Sequence, residues 1–217
     1  MADSSSPNDT TQELIRRAVG GDDQAWDRLM SDHRPRLRRM IAMRMDRRLK
    51  GRLDPSDVIQ ESLIDAARRL PEYAKEPAMP FFLWLRFLTG QRLMEQHRKH
   101  LGAQARDVGR EISLYRGAFP ETTTADLAAH FLGKFSSPSH AAIRIEQKLR
   151  LQEALNSLDP IDREILALRH FEQLSNGEAA DVLSLDKSAA SKRYARALVR
   201  LKDVLMAMPG AFEEPSR

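Results

Sequence analysis

The sequence predicts an all-α protein built from two small helical domains joined by a flexible linker. Leu, Ala, Arg, Glu and Met dominate, while glycine and β-branched residues are sparse, and this composition favours helix. Two blocks of helical pattern, 13–106 and 142–206, flank a segment of different composition at 107–141. That segment is rich in Gly, Pro, Ser and Thr without sustained periodicity, which predicts a linker.

Composition excludes several classes of protein. The chain has no cysteine, so disulfides and thiolate metal sites are ruled out, and a reducing cytoplasm fits. No apolar run reaches the ~20 residues that a membrane helix needs, so we expect no membrane insertion. The polar residues 1–12 lack the pattern of a signal peptide. Together with 207–217, they are expected to be disordered tails.

Positive charge is concentrated in two stretches. From Arg34 to Arg52 there are nine cations and one acid, Asp46, and from Lys187 to Lys202 there are six cations and no acid. Clustered cations suggest a polyanionic partner such as nucleic acid. Solvated helix faces explain either cluster equally well when it is considered alone.

Breaks and caps divide the blocks into helices. In the first block we expect interruptions at 20–22, around Gly51 and at 71–80. The stretches "DPSD" at 54–57 and "DPID" at 159–162 share one device: an Asp cap, a proline in the first turn, and a second Asp near the positive end of the helix dipole. Each block therefore contains at least one sharply started helix.

The stretch after 174 predicts a helix-turn-helix. "SNGE" at 175–178 matches a capping box, so a helix should begin after Ser175. A second helix should follow "SLD" at 184–186. Two short helices joined by a three-residue turn form a DNA-binding motif whose second helix enters the major groove. One face of this second helix is apolar at helical spacing: Ala190, Tyr194, Ala197, Leu198 and Leu201.

The other face of the second helix combines small residues with cations. Small residues near its start would let backbone and short hydroxyl groups approach base edges, while cations bind phosphates and position the helix. On spacing alone, a helical hairpin with a basic solvated face remains an equal alternative. The candidate DNA contacts are Lys187, Ser188, Ala189, Ser191, Lys192, Arg193 and Arg196.

Both blocks resemble domains of bacterial RNA polymerase sigma factors. The stretches "ALNSLDPIDREILALRHFEQLSNGEAADVL" and "SLDKSAASKRYARALVRLKDVL" resemble the promoter-binding C-terminal domain of that family. "DPSDVIQESLIDAARRL" is similar to the helix that docks on the polymerase clamp, and "PFFLWLRFLTGQRLMEQHRKH" to the segment that melts and reads the downstream promoter element. Two such domains without a large middle region fit the extracytoplasmic-function group, and the resemblance covers 13–106 and 142–206.

Two features depart from the family pattern. The turn of the family's helix-turn-helix often carries glycine, whereas this chain has Ser184. Gly90 interrupts the downstream-reading segment, at a cost of ~1 kcal/mol relative to alanine.

The resemblance implies a docking role for one face of the segment 54–70. Asp57, Gln60 and Glu61 lie at i, i+3 and i+4, so they share a face of the predicted helix away from its apolar stripe. An acidic and polar patch on a basic block suits a basic protein surface, which the resemblance identifies as the clamp helices of core RNA polymerase. From the residues alone, an ordinary solvated face is the simpler explanation.

The segment 80–100 carries the candidates for contact with the melted strand. Its large apolar residues are expected to be mostly core, because a small helical domain needs them inside. His97 and His100 are three residues apart, but no matching acid or cysteine is nearby, so no metal and no cofactor are expected. The polar candidates are Arg86, Gln91, Arg92, His97, Arg98 and Lys99.

The resemblance implies a promoter-specificity subunit. Such a subunit binds the clamp helices and flap of core RNA polymerase as well as promoter DNA, and an anti-sigma protein could hold it inactive. The free chain should be a monomer that binds promoter duplex poorly, because the linker must be stretched for both domains to bind one promoter. A stand-alone helix-turn-helix regulator is the alternative, although no dimerisation element is evident. An enzyme is disfavoured, since phosphate-cradling and zinc-hydrolase motifs are missing.

Overall fold

The computed structural model describes residues 7–46, 48–49, 51–101, 127–128 and 141–207. The chain divides into two compact units, Met1–Ile112 with Gly117–Phe119, and Ser113–Arg116 with Pro120–Arg217. The architecture is all-α, which confirms the predicted fold class. Within the predicted linker, Leu127 and Ala128 are helical and buried, and the remainder up to residue 140 lies outside the described residues.

Within its described residues, the first unit contains four helices: α1 (Pro7–Val19), α2 (Asp23–Arg44), α3 (Pro55–Lys75) and α4 (Phe81–Leu101). Helix α1 packs on α2 and α3, and α4 packs on α2 and α3. Leucine, isoleucine and methionine side chains of α2 and α3, together with Phe81, Phe82 and Leu85 of α4, form the core. The stripe predicted for α3 is confirmed, since Val58, Ile59, Leu63, Ala66 and Leu70 are all buried.

Local chemistry sets the helix starts. Asp22 accepts a hydrogen bond from the Ala25 N–H at 3.0 Å and caps α2. Asp54 accepts from the Ser56 N–H at 2.8 Å and caps α3, as predicted from its sequence. Gly21, at φ +88°, allows the sharp reversal between α1 and α2 that a side chain would strain.

Two predicted boundaries in this unit are wrong. Helix α1 begins at Pro7, so residues 7–12 are helical rather than part of a disordered tail, because proline suits the first turn of a helix. Helix α3 continues through Pro71 to Lys75, and the break is confined to 76–80. Tyr73 holds this last turn in place, because its ring stacks on Trp84 at 4.5 Å and its hydroxyl donates to the Met79 carbonyl.

The second unit contains α5 (Ala141–Ser157), α6 (Pro160–Leu166), α7 (Asn176–Leu183) and α8 (Lys187–Met206). Helix α6 continues as a single π-helical turn, Ala167–Phe171. Helix α8 packs on α5, α6 and α7. The core of this unit is formed by Leu151, Leu155, Leu158, Ile165, Leu166, Leu168, Ala179, Ala180, Val182, Leu183, Ala190, Ala197 and Leu201.

Candidate nucleic-acid interface

Helices α7 and α8 form the predicted helix-turn-helix. The capping box is confirmed: the Ser175 hydroxyl accepts from the Glu178 N–H at 3.1 Å, and the Glu178 carboxylate accepts from the Ser175 N–H at 2.7 Å. Asp186 caps α8 by accepting from the Ala189 N–H at 2.8 Å. The first helix, the turn and the second helix therefore begin where the sequence predicts.

Ser184 forms the corner of the motif in a left-handed conformation. Its φ is +53° and its ψ is 45°, so the residue occupies the region that glycine favours. The Leu185 N–H donates to the Ala180 carbonyl at 2.9 Å and closes the end of α7. This chain thus has serine in the backbone conformation that favours glycine.

A side-chain bridge holds the start of α8 against α7. The Asn176 amide donates through Nδ2 to the Lys187 carbonyl at 2.8 Å. Because this contact joins the first residue of α7 to the first residue of α8, it limits how far the second helix can swing about the turn.

The outer face of α8 is exposed along its first two and a half turns. Ala189 is partly exposed at the start of the helix, while the buried Ala190, Ala197 and Leu201 face the core. The exposed candidates are Lys187, Ser188, Ser191, Lys192 and Arg196. The outer surface of α8 therefore combines two short serine side chains with three cations. Such a surface fits a groove lined by phosphates.

Arg193 differs from the other candidates on α8. Its Nη1 donates to Oδ1 of Asp162 at 2.8 Å and lies 3.8 Å from Oδ1 of Asp159. DNA contact by Arg193 therefore stays a prediction, although in the free chain its guanidinium is turned towards α6.

Two of the six candidates on α4 have buried side chains. Arg86 is 2% exposed and His97 is 6% exposed, so neither side chain is available to a strand at the surface. Most residues from Phe81 to Gly90 are buried, and Arg86 is enclosed among them. Its side chain has an interaction partner within the protein. His97 is buried against the turn that follows α2.

The remaining candidates on α4 differ in their surroundings. Arg98 and Lys99 are exposed and Gln91 is half-buried. Arg92 binds two acids: its Nη1 lies 2.8 Å from the Glu95 carboxylate, and its Nε lies 3.5 Å from that of Glu61. Arg98 and Lys99 are thus the cations of α4 best placed for a polyanion.

His97 joins α4 to the turn after α2. The Asp46 N–H donates to His97 Nε2 at 3.4 Å, which requires that nitrogen to be unprotonated. Burial lowers the pKa of His97 below its usual value, although the Asp46 carboxylate opposes the shift. The Asp46 carboxylate itself accepts from Arg48, which lowers the pKa of Asp46 to about 2.

The aromatic residues of 80–100 are mostly core, as predicted. Phe82 is buried, with the Arg36 guanidinium 3.5 Å from its ring centroid. Trp84 and Phe87 are partly exposed. Trp84 is stacked on Tyr73 and packs near Phe81 at 5.6 Å, so its ring already has partners within the protein.

On α3, the three predicted docking residues Asp57, Gln60 and Glu61 are all exposed. Glu61 also accepts from the Gln96 amide at 3.3 Å and therefore connects α3 to α4. Gln60 borders a groove of about 350 Å³ between α2 and α3. The groove is lined by Trp26, Asp27, Met30, Arg34, Gln60, Leu63, Ile64, Ala67 and Arg68.

Neither a metal site nor a membrane span is found in the described part of the chain. Over 7–46, 48–49, 51–101, 127–128 and 141–207, no three His, Asp or Glu residues are grouped as metal ligands would be. Within those same ranges, no helix combines the length and hydrophobicity needed to cross a bilayer.

Comparison with known proteins agrees with this geometry. The family model for sigma-70, region 4, matches residues 148–201, which include all of α7 and α8 as far as Leu201. The ECF RNA polymerase sigma factor SigD of Mycobacterium tuberculosis is 28% identical over 194 residues, covering 89% of this chain and 83% of that protein. Over most of its length the chain is similar to sigma factors of the extracytoplasmic-function type.

Other relatives match this chain at similar length. RNA polymerase sigma-H factor of Pseudomonas aeruginosa is 26% identical over 190 residues, covering 86% of this chain and 89% of that protein. The solved structure of CnrH in complex with the cytosolic domain of CnrY covers 92% of this chain and 99% of that chain, with a TM-score of 0.51 and 22% identity. At that identity the likeness supports the fold.

The sequence did not reveal the acids that hold the site's arginines. Asp162 was interpreted as a dipole residue of α6, and its contact with Arg193 spans 31 residues. The sequence predicts Glu61 as a docking residue, and its contact with Arg92 also spans 31 residues. Residue spacing within one helix does not predict ion pairs between two helices. The excess of cations on α8 is the one sequence feature that suggests an acidic partner elsewhere.

Proposed function

We propose that the first unit docks on core RNA polymerase, and that both units then hold one promoter so that transcription begins at a defined site. The observation that carries this proposal is the exposed outer face of α8 in a helix-turn-helix. Lys192 and Arg196 would bind phosphates, while Ser188, Ala189 and Ser191 would approach base edges of the upstream element.

The docking surface that we propose extends from Asp57 and Gln60 into the groove between α2 and α3. Ile64 is 50% exposed there, and Arg34 and Arg68 border it. An apolar centre with a charged rim is the usual composition of a protein interface. Glu61 stands at the edge of this surface, where it is partly engaged by Arg92 of α4.

For the downstream element we propose Arg98, Lys99 and Gln91 of α4 as strand contacts. The first two are exposed, and all three belong to the segment that resembles the strand-melting part of the family. Arg92 would join them only by giving up contacts to Glu61 and Glu95.

In this proposal the chain catalyses no reaction, because the polymerase forms the bonds. Its place is the cytoplasm, where the polymerase acts. An anti-sigma protein is a further proposed partner: CnrH, which shares the fold, has been solved with the cytosolic domain of CnrY. The flap of core polymerase is the proposed partner of the second unit.

Run-off transcription tests the proposal. Purified core polymerase is mixed with genomic fragments with and without the chain, and co-elution with core is measured in parallel. We expect co-elution and new transcripts with discrete starts. A chain that neither co-elutes with core nor starts RNA synthesis contradicts the proposal, and a stable dimer that binds a palindrome without core favours a stand-alone regulator.

A further inference from the structure

Arg193 of the recognition helix is committed to an acid within its own unit. Its Nη1 lies 2.8 Å from Oδ1 of Asp162, whose side chain is only 5% exposed, while the side chain of Arg193 is 27% exposed. Asp159 adds a second carboxylate oxygen at 3.8 Å. The guanidinium therefore faces two carboxylates, one of which is largely removed from water.

The position of the pair makes it a second attachment point for α8. Asp162 is the third residue of α6, and Arg193 is the seventh residue of α8, about 9 Å along the axis from Lys187 at 1.5 Å per residue. The first attachment is the Asn176 amide on the Lys187 carbonyl. One contact fixes the start of the helix against α7, and the other fixes its rotation and tilt against α6.

We propose that Arg193 is a positioning residue for promoter recognition and that Asp162 is its partner, an inference that rests on the proposed function. Arg193 aims the recognition helix so that Ser188, Lys192 and Arg196 reach the upstream element, and does not itself read a base. Moving its guanidinium to DNA would leave the Asp162 carboxylate desolvated and unpaired, which is a strongly unfavourable state.

The sign of one substitution separates positioning from direct reading. Asp162→Asn removes a negative charge close to the DNA-facing helix, so long-range electrostatics alone would tighten binding to DNA. If Arg193 read DNA directly, freeing it from Asp162 would also tighten binding. The positioning role predicts the opposite result, because the helix loses its second attachment.

A double-mutant cycle on the holoenzyme measures this role. Affinity for a promoter fragment from the run-off screen is determined for wild type, Asp162→Asn, Arg193→Gln and the double variant. We expect each single variant to bind about tenfold more weakly, with the double variant no weaker than either, since the two residues act as a unit. Arg193→Lys keeps a donor and the charge and should recover most of the affinity.

Arg196→Gln is the matched control on the exposed face. This substitution should weaken promoter binding. The loss of binding free energy should add to the loss caused by Asp162→Asn, because Arg196 is not part of the ion pair between Arg193 and Asp162. Affinity for core polymerase should stay close to the wild-type level in every variant, since these residues lie outside the docking surface proposed on α2 and α3 of the first unit. Circular dichroism confirms that each variant is folded at the assay temperature. Where Asp162→Asn is not folded, Asp162→Ser takes its place in the cycle, because it also removes the carboxylate, and the same coupling to Arg193 is expected.

Unchanged or tighter binding by Asp162→Asn, or additive losses in the cycle, overturns the positioning role. These outcomes differ from a failure of the proposed function, in which the wild-type chain itself neither joins core polymerase nor starts transcription.

Discussion

The Asp46 N–H donates to Nε2 of His97 at 3.4 Å and ties the turn after α2 to the last turns of α4. This contact bridges the basic stretch 34–52 and the basic end of α4, which are 51 residues apart along the chain at this point. It requires a neutral imidazole, so the packing of two cationic segments depends on one titratable ring.

Acid should weaken the first unit through His97. Burial lowers the pKa of His97 in the folded chain. As pH falls below about 6.5, the imidazole is therefore protonated in the unfolded chain while it stays neutral in the folded chain. The free energy of unfolding should therefore fall over this window until the folded pKa is passed. Urea unfolding between about pH 7.5 and about pH 5.5 measures the slope.

His97→Gln provides the control for that slope, because an amide oxygen can still accept from Asp46 but does not titrate. The variant should lose the part of the pH dependence that His97 contributes. Equal slopes for the variant and the wild type would show that His97 does not carry the effect.

Ser184→Gly should stabilise the second unit. Serine at φ +53° bears a left-handed strain that glycine avoids, so the free energy of unfolding should rise by up to about 1 kcal/mol. Ser188→Gly is the matched control: it lies in α8, where glycine should lower the free energy of unfolding by about 0.5 kcal/mol. Thermal unfolding followed by circular dichroism should shift in opposite directions for the two variants.

Ile64→Glu should weaken binding to core polymerase about tenfold or more, because a charge would be buried at the centre of the proposed docking groove. Stability should change little, since Ile64 is half exposed in the free protein. Val19→Glu makes the same change at an exposed site on α1 outside the groove. Competition for core in solution gives the affinities, and a similar loss in both variants would count against the groove.

Lys192→Ala and Arg196→Ala should each make promoter binding by the holoenzyme less sensitive to salt. A lost phosphate contact lowers the slope of log affinity against log salt by about 0.9 on duplex DNA. Lys202→Ala, about three turns beyond Lys192, should leave the slope unchanged. Slopes that are identical in all four proteins would remove the outer face of α8 from the interface.

Local signals predicted the second unit well. The capping box at Ser175, the cap at Asp186 and the apolar stripe of α8 lie within a few residues of one another, so the sequence contains all the interacting groups. The left-handed conformation of Ser184 had one indication in the sequence: serine stands where the motif often has glycine.

Long-range packing explains the failures. Pro71 predicted a break, but α3 continues through it to Lys75, where Tyr73 stacks on Trp84 of α4. Arg86 and His97 looked like surface residues because polar side chains usually are, yet the core encloses both. Arg193 shares a helical face with true surface cations, and only the three-dimensional contact with Asp162 separates it from them.

Both tryptophans of the chain, Trp26 and Trp84, belong to the first unit. Indole emission therefore reports on that half of the molecule alone, with one reporter in the docking groove and the other stacked on Tyr73. When tryptophan is excited selectively, unfolding or partner binding in the second unit does not change the fluorescence. Unlabelled protein thus offers a built-in way to learn which half melts first and which half a partner touches.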